Sequence, residues 1–187
     1  MWLALMASER AHRVVVASST NLVNLRQHPP YVLVVSAFVE PSVMQLWIIG
    51  PLVWALGALQ RRLGRAATVV TVMVGHIGAS LFVATMLTAG IAKGRISLTE
   101  ATATDVGVSY GLVAVLGVLT VYIPRRWRRP TVLGGTLALV GVLAVGRSFT
   151  DLGHLVAWAF GLGLSVLVGA AVRTASGPSA PAPSPGP

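Results

Sequence analysis

Cysteine is absent from this 187-residue chain, which excludes a disulfide framework, a thiolate nucleophile and a Cys-ligated metal. Charge is scarce too: charged residues make up 10% of the sequence and only five are acidic. With 55% hydrophobic residues and a mean hydropathy of +0.78, there is too little polar surface to cover a water-soluble globule. A soluble enzyme or soluble binding domain is therefore excluded. Histidine occurs four times and no pair has metal-ligand spacing, so neither metal nor other cofactor is expected.

What the chain does have is long apolar runs separated by short basic clusters. Its net charge of +9 would suit a nucleic-acid partner if the basic residues were spread over one surface. They instead fall between apolar runs, as in the topogenic loops of membrane proteins, so the expected surrounding is a lipid bilayer and not a nucleic acid. Residues 1–6 are apolar but too short to span, and residues 17–30, with a double proline, read as a loop. Residues 31–39 form a nine-residue apolar stretch, short enough to be re-entrant or interfacial. Five spans are predicted at 43–59, 67–91, 106–123, 131–145 and 152–172, with Pro51 kinking the first. The Pro-, Ala- and Ser-rich tail reads as disordered. The expected division is thus an N-terminal segment at 1–42, a transmembrane domain at 43–173 and a tail at 174–187. The fold class is an all-α, polytopic transmembrane helix bundle.

Charge sets the expected orientation. Seven arginines and no acid lie in the connectors 61–65 and 125–129, while the 93–105 loop has both signs, so the arginine connectors are expected to be cytoplasmic in a multi-pass cell-membrane protein. The third and fifth spans then start on the outer side. Ser109 follows Asp105 by four residues and His154 follows Asp151 by three, which puts both about 5 Å into their helices. A hydroxyl and an imidazole at equal depth have the makings of an activated nucleophile. Asp105 and Asp151 read as helix caps, with orientation of His154 as the minor reading of Asp151. Taken alone, Ser109 between Gly107 and Gly111 also fits close helix packing, since a G-x-S-x-G elbow requires a strand before it. His76 reads as interhelical hydrogen-bond glue, with a proton relay as the functional alternative, and Trp158 as facing lipid, with the lining of a substrate gap as its alternative.

Gly107-Val108-Ser109-Tyr110-Gly111 with Gly117, then His154 followed by Ala157 and Gly161, resembles the serine and histidine spans of rhomboid intramembrane proteases. The chain order agrees, with one span between the two. Ser36-Ala37-Phe38 and the Arg61-Arg62-Leu63-Gly64 turn are also similar to the family, from about Pro29 to Val172, and the likeness is nearest to its divergent actinobacterial members. The resemblance implies a Ser109–His154 dyad, site support from Gln45 and Gly107, and packing by Gly111, Ala157 and Gly161. It further implies six core spans, so the first is missing or reduced to residues 1–6. Gln45 and Ile49 stand where the family places an oxyanion-binding histidine and asparagine; Gln45 can donate an amide proton and Ile49 cannot.

Three functions remain open from the sequence. One is a serine intramembrane endopeptidase acting on transmembrane substrates near the outer face. Another is a rhomboid-like pseudoprotease that binds client helices without cutting them. The last is a small transporter, for which paired broken helices or inverted repeats are not visible.

Overall fold

In the computed structural model the described residues are 9–39 and 47–175. Residues 1–6, most of the tail and Gln45 therefore lie outside the described residues. The described part of the N-terminal segment is three short helices: α1, Glu9–Ser18; α2, Leu22–Gln27; and α3, Pro29–Val35, which runs into a 3₁₀ turn at Ser36–Phe38. The loop expected at 17–30 is thus largely helical. Asn21 caps α2 by accepting the Asn24 N–H at 2.9 Å, and the two prolines occupy the first positions of α3, where no N–H is needed.

Helix α4, Ile49–Ala92, contains 44 residues, enough for about 66 Å if straight, twice the hydrocarbon thickness of a bilayer. It does not run straight. Gly64 interrupts it at φ 82°, ψ 173°, a conformation that L side chains rarely adopt. Both limbs come to lie on α5, Ser109–Leu119: Ala55 and Leu59 of the first limb share a buried cluster with Leu112, Val115 and Val118, while Val72 and Gly75 of the second meet Gly111 and Ala114. Pro51 does not kink a span interior. It is the third residue of α4, where the missing N–H is one that a helix start leaves unbonded in any case.

After α5 and its 3₁₀ extension Thr120–Tyr122 come α6, Arg125–Gly146, and α7, Phe149–Ala175. Two boundaries differ from those expected. Helix α5 starts at Ser109 and not at 106, and α6 starts at Arg125, so the arginine cluster forms its first turns and Pro130 lies inside it. Arg128 folds back to donate to the carbonyls of Thr120, Val121 and Ile123, satisfying acceptors that the end of α5 leaves open.

The described residues are those of an all-helical membrane protein. By length and composition α4, α6 and α7 are suited to crossing a membrane, and the two limbs of α4 with α5, α6 and α7 correspond to the five predicted spans. Apolar on all sides, α5 sits in the middle, with Tyr110, Gly111, Leu112, Ala114, Val115, Gly117 and Val118 buried. By contrast α6 buries none of its residues.

Candidate active site

The chain reaches Ser109 through a non-helical lead-in, residues 103–108, in which Gly107 adopts φ 136°. Ser109 is the first residue of α5, and a helix start leaves its first N–H groups without an intrahelical partner. The hydroxyl therefore sits beside backbone donors at the positive end of the helix dipole. His154 is the sixth residue of α7, about 7.5 Å along that helix. Its Nε2 lies 2.9 Å from Ser109 Oγ, within hydrogen-bond distance across two helices 45 residues apart in sequence.

Small residues permit this approach. A Cβ on Gly161 would collide with the Ala114 carbonyl, and one on Gly117 would stand 2.9 Å from the Gly161 backbone, so α5 and α7 touch backbone to backbone. Ala157 is fully buried with Ala79 and Tyr110. Gly111 faces the other way: its missing side chain makes room for Val72 of α4. The backbone N–H of Gly107 donates to the Ser36 carbonyl at 3.0 Å and so is already engaged. Ile49, at the start of α4, is 47% exposed.

Neither aspartate bonds the imidazole. Asp151 is in a reciprocal cap with Ser148, which its N–H reaches at 3.0 Å while the Ser148 N–H reaches its carboxylate at 3.2 Å. It is a cap, then, with Ser148 as the partner. Asp105 is not a helix cap, because α5 begins four residues later. Its carboxylate accepts from Tyr110 Oη and Thr20 Oγ1, both at 2.9 Å. Its backbone carbonyl accepts the Thr20 N–H at 2.8 Å, and its own N–H donates to Ser19 Oγ at 2.8 Å. Asp105 thus ties the turn after α1 to the lead-in of α5. Desolvation raises its pKa above the usual 3.8, and the hydrogen bonds from Tyr110 and Thr20 pull the other way.

Tyr110 and Gly153 are members of the site that the sequence reading missed. The Tyr110 ring meets the His154 ring edge to face, centroids 5.1 Å apart, and its hydroxyl is anchored on Asp105. A side chain at Gly153 would overlap the Tyr110 ring and hydroxyl. A tyrosine directly after the serine, in an otherwise apolar helix, was the available signal. Trp158 is a correction: it is 7% exposed, donates to Thr136 Oγ1 at 3.0 Å and packs on Gly135, so it joins α7 to α6 instead of facing lipid. Trp158 also lines a cavity of about 650 Å³ between the first limb of α4 and helices α5 to α7, with Trp54, Val113, Leu116 and Leu139.

A family model described as rhomboid-like protein matches residues 1–174. No curated protein and no solved structure matches the chain.

Proposed function

The chain belongs to the rhomboid-like protein family, and from that premise we propose that it is a serine intramembrane endopeptidase. The observation that carries the proposal is the 2.9 Å contact between Ser109 Oγ and His154 Nε2 at the head of two packed helices. In the proposed reaction His154 Nε2 takes the hydroxyl proton as Ser109 Oγ attacks a peptide carbonyl of a transmembrane substrate. His154 then returns the proton to the departing amine, and a water, deprotonated by the same imidazole, releases the acyl group from Ser109. Negative charge that develops on the carbonyl oxygen faces the unpaired N–H groups of the first turn of α5, with the Gln45 amide as a candidate second donor. Tyr110, edge-on and anchored through Asp105, limits rotation of the imidazole. The arginine connectors are proposed to be cytoplasmic, which puts the dyad near the outer face.

The second reading is a helix-binding pseudoprotease, favoured by Ile49, which cannot donate a hydrogen bond where the family places an asparagine. Loss of one such donor costs about 10²–10³ in rate. Labelling of detergent-solubilised protein with a fluorescent fluorophosphonate separates the two. The proposal expects labelling of the parent chain and its loss in both Ser109→Ala and His154→Ala. A folded parent that takes no label overturns the protease and leaves the helix-binding module.

A further inference from the structure

His76 lies on the second limb of α4, 1% exposed, on a different element from either member of the dyad. Its Nε2 is 2.8 Å from the hydroxyl of Ser36, which is itself fully buried in the 3₁₀ turn after α3. The Ser36 carbonyl accepts the N–H of Gly107 at 3.0 Å. Gly107 is buried, and a buried N–H requires a partner; Ser36 supplies it. At φ 136° Gly107 makes the last sharp turn of the lead-in, and two residues later the chain starts α5 at Ser109. The direction in which Ser109 leaves that turn thus depends on where Ser36 holds the Gly107 amide. On its other side the His76 ring lies 5.9 Å from that of Tyr110, the ring that meets His154.

We propose that His76 is a positioning residue for Ser109: it fixes Ser36, and Ser36 fixes the turn at Gly107 from which the nucleophile projects. The inference rests on the reading of Ser109 as nucleophile, but its core is structural. A histidine that merely glues helices would affect stability throughout the bundle. A positioning histidine controls one amide and one hydroxyl.

The test has two readouts on the full chain in detergent micelles. The first is hydrogen exchange of the Gly107 amide, read in overlapping peptides that cover residues 104–110. The second is the rate of fluorophosphonate labelling at Ser109. In His76→Leu and in Ser36→Ala, Gly107 exchange is expected to quicken at least about 10-fold, with α7 peptides unchanged. Labelling is expected to slow by about 10- to 100-fold, the scale set by a misplacement of about 1 Å. His76→Gln, whose amide extends to the reach of Nε2, is expected to restore both. The His76→Leu, Ser36→Ala double variant is expected to be no slower than the worse single one, since both remove the same bond. Unchanged Gly107 exchange in a folded Ser36→Ala protein overturns the inference even if His76→Leu does not fold, and so does full additivity of the two changes. If the parent takes no label, the protease reading fails, and the exchange measurement still decides whether His76 holds this turn.

Discussion

A hydroxyl and an imidazole became legible as a pair in the sequence because each stands near the start of an apolar helix, and the arginine connectors 61–65 and 125–129 set both starts on the same expected side. Their partners were harder to read. Tyr110 follows the serine directly but meets His154 across helices, and Asp105 is bonded by Thr20, 85 residues away, so the sequence does not show what either one touches. Asp105 has a consequence that can be measured. Its folded pKa is raised above 3.8, so the fold favours the protonated carboxyl, and the contribution of this group to stability falls as pH rises from 3.8 through the folded value. Asp105→Asn, isosteric and neutral, is expected to melt above the parent at pH 7, by about 2–4 °C for each kcal/mol relieved, and to converge with it near pH 4. Thermal denaturation across that range checks the sign; a parent that gains on Asp105→Asn as pH rises contradicts it. Tyr110→Phe keeps the ring against His154 but leaves the carboxylate one partner short, at a cost of about 1.5–3 kcal/mol where the carboxyl is ionised. Its labelling by fluorophosphonate is expected to slow while that of the parent sets the reference.

Among the elements, existence was easier to infer than boundaries. All five apolar runs became helical segments, but helix starts moved where local chemistry competes with hydropathy. Residues 106–108 are apolar enough to have been counted in a span, yet Gly107 and the bonds to Asp105 hold them out of the helix, so α5 begins on the serine itself. Arg125 to Arg129 were read as a connector because of their charge. They are helical, since Pro124 starts the helix and Arg128 turns back to the carbonyls ending the previous one. Small residues govern how α5 and α7 pack. Gly161→Ala pushes a methyl into the Ala114 carbonyl and is expected to destabilise by about 1–3 kcal/mol while separating Ser109 from His154. Gly163→Ala, two residues on, meets nothing within 4 Å and is expected to be tolerated. Equal losses in melting temperature for the two would show that the crossing is not set by backbone contact. Gly153→Ala, which displaces the Tyr110 ring, is expected to reduce labelling more than stability.

At the scale of the whole molecule, the arrangement is a buried central helix with Ser109 at one end, and orientation in the membrane decides which compartment that end faces. The fold class followed from composition, because a chain this apolar has only helices with which to satisfy its backbone in lipid, short of a closed barrel. The proposed orientation rests on charge asymmetry alone, and it is testable because the chain lacks cysteine, so a single introduced thiol is the sole target of a maleimide. Leu98, 73% exposed, is in the loop that leads to α5, and Gln60 is exposed beside the arginines that close the first limb of α4. In intact cells Leu98→Cys is expected to react with a membrane-impermeant maleimide, and Gln60→Cys only after permeabilisation. The reverse pattern would invert the bundle and place Ser109 and His154 near the cytoplasm. The arginines would then have been carried outward against the usual bias, and a substrate of the proposed protease would have to present its cleavage site on the inner side. Reaction at both positions without permeabilisation would instead mean that the two ends share a compartment. In that case the limbs of α4 would not be separate crossings, and Gly64 would be a bend in a helix lying along the membrane.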